Sequence, residues 1–583
     1  MKRPIWLSRL IVQALLIALG TVALSPARPL SLSSAPPLDD AFVGRVYVRD
    51  RDHLNAVAGE LDIWETHREE GYVLAAITSE QARWLENLGY RVEPDETRVA
   101  ALGATAALDP RFYYFDHQHP NPNGRYVVDL LQEINGRYPQ LTELVDIGDA
   151  WMAGQPGEPD RDLWVLRVTN EDPAYGPMAD KPAFFLAAAM HPREVATAEL
   201  AVRYLRYLTD GCGGEGGYGV DADVTWLVDH HVAYVLVVHN PDGHVENERS
   251  VANNRRKTMD WDDGCSYSAF WGVDLNRNHS FLWNCCGGSS GDPCRETYRG
   301  PSPASEPETQ ACEAYVRTVM KDQNGPNGAD EIAAASPITT TGILISLHSY
   351  GDLVLWPWGF QGYGSAPNQA ELRTIGHKFA SYNGYNADGT IWYDVDGAVD
   401  DWAYGALGIP SFTFEVGPED GACGGFFPAY ECIDGYAARD FWAENKPAFL
   451  YAHRIARAPY LRAYGPDVQS VTFSALERLA ADIADRRYPG DSPQAVVAAE
   501  YFIAEESAEF AGEDGTGVPM SPADGAWGGL AESAVAQVDA SERGQGRRII
   551  LVHGQSEDGT WGPFTATFAW VGQRIYLPLV VRP

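Results

Sequence analysis

The chain is short of basic residues: 44 Lys and Arg stand against 80 Asp and Glu, a formal net charge of −36 over 583 residues. Phosphate binding needs clustered Lys and Arg, so this balance excludes a nucleic-acid partner and adsorption to an anionic membrane. It is compatible with attraction of cationic peptides, but plain solubility of an acidic secreted surface is the preferred reading. Long apolar runs are missing too. The most apolar stretch, Leu10 to Leu24, is interrupted by Gln13, Gly20 and Thr21 and is too short for a comfortable membrane span. Lys2, Arg3 and Arg9 at its start and Ser25-Pro26-Ala27 behind it make residues 1–27 a secretory signal. The mature chain is therefore expected to be secreted or extracellular, in free or cell-surface-associated form. CxxC zinc pairs are absent. Eight cysteines, an even number in an exported chain, point to disulfides instead. Adjacent Cys285 and Cys286 are not expected to pair with each other, because a vicinal bridge strains the local backbone.

The length implies two or three domains, and a hydrophobic content of 45% suffices for a sizeable core. Residues 28 to 42 are rich in Pro, Ser and Ala and read as a linker. Residues 43–98 form a small α/β unit, pro-segment-like or accessory. Val43–Val48 and Tyr72–Ile77 are strand-like, and Thr78 with Gln81 makes a capping box for a helix that stops at Gly89. Ala100 to Leu108 is a second linker. Residues 109–460 alternate apolar strand patterns with helical ones. The strands are Leu163–Val168, Ala183–Ala188, Val232–Val238, Gly342–Leu347 and Phe412–Glu415. The helices include Val127–Ile134, Val195–Leu208 and Glu308–Met320, the last with a capping box from Ser305 and Glu308. The pattern predicts an α/β fold with a mixed, mostly parallel sheet flanked by helices. After Arg462, short alternating runs such as Val468–Phe473, Val496–Phe502, Ile549–Val552 and Phe564–Trp570 predict a β-sandwich over 465–583. The terminal Ile575–Val580 is read as a last strand or a sorting tag in preference to an anchor remnant.

The chemistry gathers at strand ends. Phe184 to Met190 is an apolar run that delivers His191 and, three residues on, Glu194, just before a helix; open α/β sheets place their sites there. Zinc accepts imidazole and carboxylate, and a catalytic zinc needs three protein ligands with one position left for water. Ile345-Ser346-Leu347-His348 repeats the pattern and supplies the third ligand. Phe412-Thr413-Phe414-Glu415 ends another strand in a carboxylate that is free to act as a base.

These motifs, in this order, resemble the zinc carboxypeptidases of the carboxypeptidase A/B type over about residues 111 to 455. The resemblance rests on His191-Pro-Arg-Glu194, Asn240-Pro-Asp-Gly243, Arg256-Lys257-Thr258 and Gly272-Val-Asp-Leu-Asn276-Arg277-Asn278. It continues in Tyr298-Arg-Gly300, Ser305-Glu306, His348-Ser-Tyr350, Tyr393 before Asp401-Trp402, and Phe412-Thr-Phe-Glu415. It implies one zinc ion on His191, Glu194 and His348, the set already known from carboxypeptidase A. It implies Glu415 as general base and Arg256 as oxyanion partner. Asn276 and Arg277 would grip the terminal carboxylate of a peptide or protein, which a guanidinium fork suits. Tyr393 would close over the substrate, and Arg193 would touch it further from the cut. Asp400 falls at the base of the specificity pocket and would favour C-terminal Lys or Arg. Cys265 and Cys294 match a family disulfide, and Cys423–Cys432 is a second candidate; Cys212, Cys285, Cys286 and Cys312 stay unassigned.

The chain departs from the simplest family pattern in its extra loops and in an N-terminal unit shorter than the usual pro-domain, which puts inhibition by that unit in doubt. The acidic, Gly-rich stretch 211 to 223 is a candidate calcium loop. His244 and His279 are expected to be structural, and His230-His231 carry no second metal. The C-terminal region resembles Ig-like or fibronectin-like modules appended to exported bacterial hydrolases; Trp527 and Trp561 would bind a polymer there or fill the core. No motif calls for obligate assembly, so a monomer is expected. Two other functions compete. One is a zinc amidohydrolase of the same fold acting on cell-wall peptides or acylated amino acids, which would be expected to alter Asn276-Arg277 or Tyr393. The other is a non-catalytic peptide-binding adhesion protein, which would be expected to lose a ligand or Glu415.

Overall fold

The computed structural model describes residues 41–98, 108–115 and 126–571, except 157, 159–160, 325–331, 333, 390, 420–422, 475–476, 505–511 and 539–545. The expected signal segment, most of both expected linkers and the tail Ile575–Val580 lie outside the described residues. No helix among these residues is long and apolar enough to cross a membrane.

The N-terminal unit is an antiparallel sheet of β1 (Ala41–Tyr47), β2 (Asp62–His67), β3 (Tyr72–Thr78) and β4 (Arg91–Pro94), in the order β2-β3-β1-β4. Helices Arg51–Ala58 and Ser79–Asn87 cover it. The expected capping box forms: the Gln81 N–H donates to Thr78 Oγ1 at 3.1 Å and the Thr78 N–H to Gln81 Oε1 at 3.0 Å. The unit buries its own apolar cluster, including Val46, Leu54, Val73 and Leu85, with Trp392 and Tyr393 packed against it.

The central sheet has eight strands: β5 (Thr142–Asp149), β6 (Asp162–Val168), β7 (Ala183–Ala187), β8 (Val232–Leu236), β9 (Ile343–His348), β10 (Leu353–Leu355), β11 (Asn386–Gly389) and β12 (Ser411–Glu415). Their order is β11-β10-β12-β9-β7-β8-β6-β5. The middle strands β12, β9, β7 and β8 run parallel, while β6 and β5 join antiparallel at one edge. β7, β8 and β9 are buried at every position. That is why they read as unbroken apolar runs: helices lie on both faces, so no solvent face selects polar residues. The expected α/β fold with its mixed sheet is what forms.

One local expectation fails. Ser305 and Glu308 do not make a capping box, because Pro307 opens the helix Pro307–Val319 and places Glu306 at its N-cap. Ser305 Oγ donates to Glu306 Oε1 at 2.8 Å, and Glu308 Oε1 accepts from the Trp151 N–H at 2.9 Å.

The C-terminal region forms two four-stranded antiparallel sheets from β13 (Asp467–Phe473), β14 (Arg478–Ala484), β15 (Val496–Ala504), β16 (Val518–Pro519), β17 (Ser521–Pro522), β18 (Ala531–Gln537), β19 (Gly546–Ser556) and β20 (Thr565–Val571). Leu479, Ile483 and Val552 belong to its own core, but Leu551, Phe564 and Ala566 belong to the core of the central sheet.

Candidate metal centre and peptide site

Register carries the site. β7 and β9 pair with Ala187 opposite Ser346, and β9 and β12 pair with His348 opposite Glu415. Three strand ends far apart in sequence therefore finish side by side. The chain leaves β7 through His191 and enters the helix Val195–Leu208 at Glu194, its N-cap. His191 Nδ1 lies 2.8 Å from Glu194 Oε1, and His348 Nδ1 lies 3.1 Å from both His191 Nδ1 and Glu194 Oε2. All three side chains are buried.

This donor set fits a zinc ion. Two imidazole nitrogens and a carboxylate point at one spot, and Glu194 Oε2 is buried and takes no well-directed hydrogen bond, although His348 Nδ1 lies 3.1 Å away. The outward nitrogens are already engaged: His191 Nε2 is 3.1 Å from Asp274 Oδ1 and His348 Nε2 is 3.0 Å from Ser346 Oγ. Such outer partners fix the ring orientation of metal-binding histidines. Burial works against the Glu194 charge, yet His191 and His348 hold this carboxylate far below its usual range. Burial, aided by Arg256, lowers His191 and so favours the neutral ring that a metal requires.

Glu415 is the neighbouring carboxylate. Burial pushes it up to about 7 despite the pull of His348, which suits a group that must accept and return a proton near neutrality. Arg256 donates from Nε and Nη2 to Asp274 Oδ2 at 3.0 and 2.9 Å and stays charged against the effect of burial. Asp274 is thus a hub that sequence reading missed. Its position two residues before Asn276, inside a motif already noted, was the available signal.

A cavity of about 100 Å³ adjoins these groups, lined among others by Arg193, Arg256, Asn276, Arg277, Tyr393, Asp400 and Glu415. The structure therefore brings every expected substrate contact to one hollow. Asp400 is buried, accepting from Thr413 Oγ1 at 3.2 Å and the Asp401 N–H at 3.0 Å, and burial raises its pKa. Asn276 Oδ1 accepts from the Val399 N–H at 3.0 Å.

Residues 63–66 of β2 in the N-terminal unit line the same cavity. Asp62 takes both arms of the Arg193 guanidinium at 2.8 and 2.7 Å, and Arg193 lies 3.9 Å from the centre of the Phe426 ring. Tyr350 Oη donates to Glu65 Oε1 at 3.0 Å. No sequence signal marked Asp62 or Glu65, since neither stands in a motif.

Cys265–Cys294 and Cys423–Cys432 are bridged as expected, with Cα–Cα separations of 5.2 and 5.7 Å. Cys285 and Cys286 overturn an expectation by pairing with each other. Left-handed backbone at Leu282, Asn284 and Gly287 curls the chain on both sides of the pair and brings the two side chains together. Cys212 and Cys312 are free. The candidate calcium loop has its acids committed elsewhere. Asp221 caps the helix Ala222–His230, Asp223 pairs with Arg454, and Glu215 pairs with Lys446.

A family model described as zinc carboxypeptidase matches residues 127–443, more than half of the chain. A zinc carboxypeptidase of Saccharothrix mutabilis subsp. capreolus is 27% identical over 388 residues, covering 62% of this chain and 78% of that protein. Carboxypeptidase B of Bos taurus is 26% identical over 416 residues, covering 66% and 89%. Among solved structures, the carboxypeptidase A of Helicoverpa armigera overlays with a TM-score of 0.53 at 19% identity, over 72% of this chain and 98% of that one, a likeness of fold. The converging strand ends and the family match agree, and the chain belongs to the zinc carboxypeptidase family.

Proposed function

We propose that this metallocarboxypeptidase is an exported enzyme that removes C-terminal residues, with a preference for Lys and Arg. His191, Glu194 and His348 hold the zinc. Bound there, zinc lowers the pKa of water and polarises the scissile carbonyl. Glu415 takes the proton of the attacking water and later passes it to the leaving amine. Arg256 offsets the negative charge that develops on the carbonyl oxygen, a charge present mainly in the transition state. Asn276 and Arg277 bind the terminal carboxylate, and a fixed guanidinium at a blind end selects chain termini over internal bonds. Tyr393 closes over the substrate. Asp400 in the cavity wall faces the terminal side chain and favours a cation.

The observation that carries this reading is the meeting of His191, Glu194 and His348 within 3.1 Å beside Glu415. The bidentate Asp62–Arg193 pair and the lining of the cavity by β2 support a second part of the proposal: the N-terminal unit is a pro-segment that covers the site. With it in place, Arg193 is spent on Asp62; once it leaves, Arg193 is available to peptide further from the cut. The C-terminal sheets form a sandwich of the Ig or fibronectin kind, joined to the enzyme.

The test is release of free amino acids from benzoyl-Gly-Arg and benzoyl-Gly-Phe, with and without a chelator. Glu415→Gln should keep its zinc and lose on the order of 10³-fold or more in turnover. Undiminished turnover in that variant removes the base assignment, and a strong preference for Phe removes the role of Asp400.

A further inference from the structure

We infer that Asp396 is the positioning residue for Arg277, acting through the loop that carries the Cys285–Cys286 bridge. The inference rests on the assignment of Arg277 to the substrate carboxylate. Asp396 is fully buried, three residues beyond Tyr393. Its Oδ2 accepts from the Cys286 and Gly288 N–H groups at 3.0 Å each, and its Oδ1 accepts from the Ser289 hydroxyl. Three donors from one short segment, all on a single carboxylate, fix the shape of that segment; hydrogen bonds to a charged acceptor are the stronger kind.

The segment then holds the guanidinium. The Gly288 carbonyl accepts from Arg277 Nε at 3.0 Å, and the Asn276 carbonyl accepts from Arg277 Nη1 at 2.9 Å. Among the described residues Nη2 has no protein acceptor, so it is the donor left for a ligand. Two glycines press the parts together. A Cβ on Gly288 would lie 2.5 Å from Val395 Cα and 2.6 Å from the Asp394 oxygen. A Cβ on Gly397, at φ 73°, would lie 2.2 Å from the Arg277 oxygen. No side chain separates the 394–397 backbone from Gly288 or from Arg277. A shift at Asp396 therefore reaches the guanidinium through backbone alone. The same stretch begins at Tyr393, so the residue that closes over the substrate and the one that grips its carboxylate share one anchor.

The variants are Asp396→Ala, which removes every acceptor, and Asp396→Asn, which keeps one carbonyl oxygen for the two backbone donors. Zinc-loaded full-length protein is titrated by calorimetry with 3-phenylpropionate, a carboxylate, and with acetohydroxamate, a metal binder without one. KM and kcat for benzoyl-Gly-Arg are measured alongside. Asp396→Ala should weaken 3-phenylpropionate and raise KM on the order of 10- to 100-fold, as misplacement of a binding group does. kcat should stay within about threefold, the mark of lost binding rather than lost chemistry. Acetohydroxamate affinity should not move, and Asp396→Asn should recover part of the loss. Unchanged 3-phenylpropionate binding overturns the inference, as does an equal loss of acetohydroxamate, which would mark general disruption. A wild-type chain that binds 3-phenylpropionate without turning over peptide would refute the proposed activity and leave the calorimetric comparison to decide the role of Asp396.

Discussion

The catalytic region has two neighbours, and it meets them differently. Its contact with the N-terminal unit is mostly polar. Asp62–Arg193, Arg51–Asp394 at 2.8 Å, Glu60–Arg295 at 3.2 Å and Tyr350–Glu65 cross it, while the apolar cluster of the unit is distinct from the central core and meets the catalytic region at Trp392 and Tyr393. Its contact with the C-terminal sheets is continuous with the core. Leu551, Phe564 and Ala566 are part of the central cluster, and the Trp226 and Phe564 rings meet edge on at 6.0 Å. Within that seam Lys378, 1% exposed, pairs with Asp467 at 2.7 Å and Asp485 at 3.4 Å. A polar seam exchanges hydration for ion pairs at little net gain, so it can reopen into water. A seam that shares an apolar core cannot open without exposing that core. The first contact suits a cover that comes away, the second a module that stays.

The largest expected effect is at the second seam. Lys378→Met leaves Asp467 buried without its ion-pair partner, while Asp485 keeps Arg487 at 2.8 Å; breaking such a buried pair costs about 3–5 kcal/mol. The thermal midpoint should fall in a single transition shared by the sandwich and the catalytic region. If the sandwich melts separately, or the loss is under about 1 kcal/mol, the two seams are not different in kind.

Next comes the N-terminal unit. Cutting the chain between Arg98 and Leu108 and removing the unit should raise kcat/KM about 100-fold, some 2.7 kcal/mol at 1.36 per decade. In the uncut chain Asp62→Asn should give part of that rise, since it weakens the hold on Arg193. An intact chain already as active as the cut one would show that β2 lines the cavity without closing it.

Much of this was legible in the sequence. His191, Glu194, His348 and Glu415 end apolar runs, and such runs in an α/β chain are central strands whose ends share one edge. The contacts that differ between the seams were not legible. Asp62 and Lys378 are ordinary charged residues in ordinary contexts, and each matters only through a partner more than eighty residues away. The vicinal bridge was misjudged for a related reason. A local rule on backbone strain argued against it, and left-handed residues on both sides of the pair overruled that rule. Asp396 escaped notice because its three donors come from a loop some hundred residues earlier.

The smallest effect is the sharpest test, because Asp62 in one seam and Asp467 in the other should respond to acid with opposite sign. Burial opposes ionisation of Asp62, but Arg193, with help from Arg256, outweighs it, and its pKa lies below the ordinary value. The docked unit thus gains stability that is present above about pH 3.9, the ordinary Asp value, and is lost as pH falls through the lower docked one. His67 is raised, chiefly by its hydrogen bond to Glu65 against burial, with Glu419 adding to it. Glu65 stands on the same strand, so this contribution belongs mainly to the fold of the unit itself; it is full below about pH 6.5 and is lost as pH rises through the higher folded value. In the other seam, burial raises Asp467 beyond the pull of Lys378, and raises Asp223 beyond that of Arg454. At these two carboxylates the folded state binds the extra protons, so their contribution falls as pH rises across that window and returns on acidification. Asp491 works the other way: burial is outweighed there by His377 and Arg373, which hold it below its ordinary value. Amide exchange at about pH 3 and pH 6, on either side of the ordinary Asp value, reads both seams at once. Relative to its intrinsic rate, β2 should lose protection at the lower pH while β14 keeps or gains it; parallel loss in both strands would mean that acid acts on the molecule as a whole.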